Sequence, residues 1–305
     1  MKQEHQKVKQ LKFGNIRVDR VVEMENFWVD PAWLYPNIEP GVAARHQAEL
    51  GANLISPGAF KLNLSFHSYL IRTGTSNVLV DACNGNHKDR PRAKWQHKFK
   101  SDEYLSNLKR LGLNPGDIDV VLCTHLHTDH VGWNTMLSNG RWVPTFPNAK
   151  YIFAKTEFEH YLRLHEKNPE HPVNQGSFAD SVLPVVEAGQ ALLVDSNHLV
   201  EGDLAKGVWL EDSQGHTPGH VTVNVKEGGQ HGVMTGDIFH HPIIFLEPGL
   251  VNTGDWNPEL ARATRQTLTE RFADTETLLL TMHFPQPTAG RIHSCNHGFT
   301  FKYLR

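Results

Sequence analysis

Cysteine is scarce in this sequence: three residues in 305, at Cys83, Cys123 and Cys295. An odd, widely spaced set excludes a disulfide framework and a cysteine-based zinc knuckle, and it suits a reducing, cytoplasmic setting with free thiols. A long apolar run is also missing. No segment approaches the roughly 18 uninterrupted apolar residues that cross a bilayer, and the opening "MKQEHQKVKQLKFGN" carries charge without the apolar core of an export signal. Nor does one sign of charge dominate, since 30 Lys and Arg stand against 33 Asp and Glu. Neither a nucleic-acid surface nor an anionic membrane is advertised, so the expected partner is a small molecule, neutral and partly apolar. An oligomer is compatible with this balance. With 39% hydrophobic residues the chain can bury a full core. We expect one domain over 1–305, with the polar stretch "HEKNPEHPVNQGSFADS" (165–181) as an insertion or flap.

What the sequence does have is histidine, 20 residues of it, and the stretch "VVLCTHLHTDHVGWN" (120–134) concentrates His125, His127, Asp129 and His130 directly after a strand-like run. With 20 His and 15 Asp, a His-x-His-x-Asp-His pattern arises by chance about 0.004 times in such a chain, taking positions as independent. Coincidence is therefore a poor explanation.

Strand and helix patterns alternate along the chain. "IRVDRVVEM" (16–24), "LNLSFHSYLIRTG" (62–74) and "NVLVDAC" (77–83) read as strands, the last two separated by the hairpin signal "GTSN". "SDEYLSNLKRLGL" reads as an amphipathic helix capped by Ser101, with Leu105, Leu108 and Leu111 on one face. Later strands are expected at "DVVLC", "KYIFAK", "ALLVD", "GVWLEDS", "HVTVNVK", "HGVMTGD" and "TLLLTMH", with helices at "TEFEHYLRLHEK" and, capped by Asn257 with Pro258 at its first position, "NPELARATRQTLTERFA". This is mixed α/β order. Four apolar runs each hand over to a possible metal ligand at their carboxyl end: Asp81, His125, Asp237 and His283. Layered α/β folds gather such ends at one edge, where loops build sites. "GHTPGH" adds His216.

Standing alone, His216, Asp237 or His283 would read as turn or strand-end residues; beside the cluster they read as ligands. His220, His231, His241, His293 and His297 are assigned surface, supporting or packing roles. Asp81 is assigned to hydrogen-bonding loop backbone, and Cys123 to the core. Five imidazoles and two carboxylates without thiolate suit Zn²⁺ and tolerate Mn²⁺, Fe²⁺ or Co²⁺, whereas Mg²⁺ and Ca²⁺ want oxygen. Seven ligands exceed the three protein ligands of one catalytic zinc and divide into two sites sharing a carboxylate.

These residues resemble the signature of the metallo-β-lactamase superfamily: His-x-His-x-Asp-His, then a later His, an Asp and a final His. The resemblance runs from "VLVDAC" to "MHFPQPTAGRI". It implies a four-layered αβ/βα sandwich and two metal sites, with His125, His127 and His216 at the first, Asp129, His130 and His283 at the second, and Asp237 between them. True β-lactamases of the superfamily lack that bridging Asp; flavodiiron proteins, glyoxalase-II-like thioesterases and the nucleases carry other ligands, extensions or inserts. The long His130-to-His216 spacer and "GDIFHHP" resemble the N-acyl-homoserine-lactonase and methyl-parathion-hydrolase-like branch. The implied function is hydrolysis of lactones or carboxylic esters by a hydroxide bridging two Zn²⁺ ions, the alternative being organophosphate or aryl ester hydrolysis. Asp129, Asp237 and His240 are the expected catalytic side chains, His240 standing where compact lactonases have Tyr. For the pocket wall the sequence offers Phe27, Trp28 and Trp33, then Trp133, Phe239 and Phe284 beside the ligands, each equally readable as core.

Overall fold

The computed structural model describes residues 10–168, 170–200 and 205–304. The reading of the first nine residues as free of an export signal lies outside them. Among the described residues no helix is long and apolar enough to cross a membrane.

Two mixed sheets face each other. The first comprises β1 (Leu11–Phe13), β2 (Ile16–Val29), β3 (Leu62–Arg72), β4 (Asn77–Val80) and β5 (Val120–Leu122), and after a separate hairpin of β6 (Thr135–Ser138) with β7 (Arg141–Pro144) it continues through β8 (Lys150–Ala154) and β9 (Ala191–Val194). The second comprises β10 (Val208–Asp212), β11 (Val221–Glu227), β12 (Gln230–Met234), β13 (Leu278–Leu280), β14 (Ala289–Cys295) and β15 (Gly298–Tyr303). Strand alternation sorts the apolar residues into layers. Val78, Val80, Val120 and Leu122 meet Val223, Val225, Met234 and Leu280 in the core between the sheets. Their neighbours Leu79 and Val121 point outward, under the helices Glu103–Arg110 and Lys155–Lys167. Val233 and Leu279 do the same in the second sheet, toward the helix Pro258–Phe272. The result is a four-layered helix–sheet–sheet–helix sandwich, as expected. Each fully buried aliphatic chain contributes roughly 1.5–3 kcal/mol, so even three-residue β5, wholly buried, is firmly held.

Local signals operate as read. Asn257 caps its helix by accepting from Leu260 N, with Pro258 at the first position. Ser101 Oγ accepts from Glu103 N at 3.1 Å, but from one position before the N-cap, which is Asp102 and makes no side-chain cap bond. The strands, however, end sooner than expected. β5, β12 and β13 each stop three residues before His125, Asp237 and His283; the chain leaves the sheet so that the ligand can lie across its edge instead of alternating with its neighbours. The hairpin β14–β15 is not legible in the sequence, because its outer positions are polar or exposed and mask the alternation. In 165–181, helix continues to Lys167 and resumes over Phe178–Val182, where Phe178 is buried. Asp180 in this stretch takes both guanidinium nitrogens of buried Arg90, at 2.6 and 2.8 Å.

Candidate metal centre and active site

β4 with β5, and β12 with β13, are parallel pairs, so their carboxyl ends open on one edge and deliver Asp81, His125, Asp237 and His283 to it. The imidazoles are held by their far nitrogens. His125 Nδ1 lies 3.0 Å from Thr124 Oγ1, His130 Nδ1 2.8 Å from Asp81 Oδ2, His216 Nδ1 2.9 Å from Asp255 Oδ1, and His283 Nδ1 3.1 Å from Ser65 O. Each arrangement frees Nε2 to face inward. His127 instead turns Nδ1 inward, 3.0 Å from His216 Nε2, a pairing of two ring nitrogens that a shared cation satisfies better than a single proton.

Asp237 sits between two sets. Its Oδ2 is 3.2 Å from His216 Nε2 and 3.6 Å from His125 Nε2; its Oδ1 is 3.1 Å from His130 Nε2 and 3.0 Å from His283 Nε2. Donor atoms of His125, His127, His216 and Asp237 all lie within 4.8 Å of one another, and so do those of Asp129, His130 and His283. His240 enters a third such group with Asp237 and His283, bringing its Nε2 to 3.0 Å from Asp237 Oδ2. It is thus within ligand reach, closer to the carboxylate than a remote proton donor would be. His125 Nε2, His130 Nε2 and Asp237 Oδ1 are buried without a hydrogen-bond partner. Buried polar atoms are rarely left so, and divalent cations held by the two sets would satisfy all three.

Supporting groups explain the precision. Asp81 accepts from Thr124 N, Thr124 Oγ1 and His130, as the sequence suggested. Buried Glu157 accepts from Leu126 N at 3.0 Å and Gly219 N at 2.8 Å, joining the His125–His130 loop to the His216 turn. His220 Nε2 accepts from Asp237 N at 3.0 Å, and Gly236, at φ +50°, leaves the space that a Cβ would take from that ring. Sequence reading missed Glu157 and Asp255. A first-turn Glu reads as solvated, and Asp in "NTGDWN" reads as a turn former.

The sequence profile of the metallo-beta-lactamase superfamily matches residues 66–283. The chain belongs to the metallo-β-lactamase superfamily. Among curated relatives, N-acyl homoserine lactonase AiiA of Bacillus thuringiensis subsp. kurstaki is 26% identical over 230 residues, covering 71% of this chain and 79% of that one. An N-acyl homoserine lactonase of Bacillus cereus is 27% identical over 185 residues, or 56% of this chain and 62% of that one. Among solved structures, hydrolase AbOPH superposes with TM-score 0.79 at 23% identity, and the dizinc quorum-quenching lactonase AidC with 0.74 at 19%, each over 97% of both chains. The chain is accordingly a metal-dependent hydrolase of this superfamily.

Charges in the superfamily site oppose one another. Burial works against ionising Asp237, but His130, His283 and His240 around it hold the carboxyl well below its usual range. Burial and neighbouring imidazoles push His125 and His127 down. Burial also disfavours charged His216, yet Asp237 and Asp255 lift it to about 9. Beside these groups opens a cavity of about 360 Å³. One wall is aromatic: Trp95 lies 4.8 Å from Phe66 and 4.7 Å from Phe27, and Phe66 lies edge-on to His283 at 5.2 Å, centroid to centroid. Of the aromatics named from sequence, only Trp33 lines the cavity, with Phe27 packed behind it. Trp28 does not line it; Trp133 stacks on Tyr104, and Phe239 and Phe284 belong to the core. Phe66 and Trp95 went unrecognised, one inside a strand and the other in the basic loop of 87–100, where no periodicity marks an aromatic as exposed to a cavity.

Proposed function

We propose that the chain hydrolyses lactones, N-acyl homoserine lactones foremost, with two Zn²⁺ ions. The observation that carries this reading is Asp237, whose two carboxylate oxygens divide between His125 with His216 and His130 with His283. That division suits a carboxylate shared by two cations, His127 completing the first set and Asp129 the second. The lactonase relatives support the substrate class. Bound divalent metal supplies Lewis acidity toward the substrate oxygen and lowers the pKa of water toward ~7.

The protein's own residues do the rest. Burial of the imidazoles excludes bulk water and strengthens their interactions. Asp129, half-buried at the cavity floor with Oδ2 3.7 Å from His283 Nε2, is positioned to take a proton during attack. His240, whose pKa burial pushes down, presents Nε2 beside Asp237 Oδ2, where its ring can hydrogen-bond the departing alkoxide while the proton taken up by Asp129 is returned to that oxygen. The aromatic wall receives an acyl chain. It also favours a second reading, aryl ester or organophosphate hydrolysis, since an aryl leaving group would stack there. Residues 1–305 act as one catalytic domain, and the three free thiols support a cytoplasmic setting.

The test compares kcat/KM for an acyl homoserine lactone, a β-lactam and an aryl phosphotriester on one zinc-loaded sample. Lactone hydrolysis should exceed the other two. Good β-lactam turnover with inert lactones would overturn the assignment, and phosphotriester turnover alone would promote the second reading.

A further inference from the structure

Asn252 lines the same cavity and is 6% exposed. Its amide orientation is fixed by bonding, because Oδ1 accepts from Gly254 N at 2.7 Å and so must be the oxygen. That leaves Nδ2 as a buried donor without a partner. A buried amide hydrogen with nothing to bind is rare in a folded protein unless a ligand supplies the acceptor. The turn that carries it is anchored on both sides. Asn252 N donates to Asp255 Oδ2, whose other oxygen holds His216, and Thr253 Oγ1 donates to Trp33 O at 2.8 Å. Gly254 brings the turn close to the metal ligands: a Cβ there would lie 3.1 Å from both Asn252 Oδ1 and His216 Cε1. Gln175 also lines the cavity, and its Oε1 is buried and likewise unpartnered. Gln175 is held at φ +54°, with its carbonyl taking Arg90 Nη1, a backbone conformation retained against its intrinsic cost.

We propose that Asn252 is a specificity-determining residue that donates Nδ2–H to the carbonyl oxygen of a substrate amide, with Gln175 Oε1 available for the amide N–H. This rests on the lactonase reading and deepens it: Asn252 and Gln175 would read the secondary amide that an N-acyl homoserine lactone carries between its reacting ester and its apolar tail. The tail lies on Phe66 and Trp95, and the amide faces Asn252. An ester or lactone without the amide would leave both polar groups unpaired and bind less well.

The test measures binding to the zinc-loaded protein by calorimetry. The ligands are N-hexanoyl-L-homoserine and a 2-alkyl-4-hydroxybutanoic acid with a tail of equal length, which keeps the carboxylate, the hydroxyl and the branch point but lacks the amide. Both are titrated into wild type, Asn252→Ala and Asn252→Asp. Asn252→Asp retains the acceptor for Gly254 N and removes only the donor, and its added charge acts on both carboxylate ligands alike. We expect wild type to prefer the amide ligand and both variants to lose about tenfold on it, with the hydroxy acid changed less than about twofold. Equal loss on both ligands would mean a structural role and overturn the proposal. So would no loss, no preference in wild type, or no binding of either ligand. Lactone turnover assayed on the same wild-type sample separates the two levels: inert lactones would sink the lactonase reading, while the binding comparison would still decide the role of Asn252.

Discussion

Replacing Asp255 by Asn should weaken metal binding at the His125–His127–His216 set by about 10- to 100-fold. Asp255, almost fully buried, accepts twice: from His216 Nδ1 at 2.9 Å through Oδ1 and from Asn252 N at 2.9 Å through Oδ2. Asparagine has one oxygen. If that oxygen serves the loop N–H, its amino group faces His216 Nδ1 and stabilises the tautomer with the proton on Nε2, the nitrogen that must be bare to bind a cation. If it serves His216, two N–H groups confront each other in a buried turn. Either outcome loses a charge-assisted bond worth about 1.5–3 kcal/mol, and about 1.4 kcal/mol corresponds to tenfold in affinity. Competition between the apoprotein and a chromophoric chelator at neutral pH reads both binding constants. The reasoning holds if one constant drops as stated and the other changes little. It is refuted if both fall equally, which would indicate general unfolding, or if neither moves by more than about twofold.

Other perturbations reach different parts of the account. Glu157→Ala leaves Leu126 N and Gly219 N without their acceptor, so urea denaturation should show a loss of about 3 kcal/mol; a loss below about 1 kcal/mol would mean the two loops hold themselves. His220→Ala, which from sequence alone was expected to leave metal content near wild type, should lower it because Asp237 N loses its acceptor; wild-type content by elemental analysis would show that Asp237 is positioned otherwise. Trp95→Ala should raise KM for long acyl chains by about tenfold and leave short ones nearly unchanged; a uniform effect on kcat would place Trp95 outside substrate binding. Burial pushes Lys88 down to about 7, against Asp180, while the Trp142 ring face 3.6 Å away works in the same direction as Asp180. The unfolded chain then binds the extra proton above that pH, so relative to Lys88→Met the wild type should gain stability as pH rises from 7 to 9, by up to about 1.4 kcal/mol per unit. A difference flat with pH would mean that Lys88 stays charged.

The candidate ligand set was legible because it lies in two short motifs and at strand ends, where continuous apolar runs such as "VLVD" and "LLLTMH" announce the edge before its residues are reached. Residues that support the ligands were not. Glu157, Asp255 and His220 act across 17 to 62 positions of sequence, and nothing local distinguishes a buried acceptor from a solvated one. Asp81 was legible only because an acid directly after a buried strand has few alternatives to bonding loop backbone. The aromatic wall shows the same limit from the other side. Trp133 and Phe239 lie next to ligands in sequence but point into the core, whereas Phe66 and Trp95 reach the cavity from a different strand and from a polar loop. Adjacency in sequence fixes which edge a residue occupies, and only tertiary packing decides which way its side chain turns.

The central claim is that one carboxylate joins two metal sites that together open a lactone. The direct measurement is a titration of the chelator-stripped protein with Zn²⁺ while hydrolysis of an N-acyl homoserine lactone is followed. The account predicts no turnover without metal and a rise that levels off only at two equivalents per chain. Full activity at one equivalent, or turnover that survives metal removal, would contradict it.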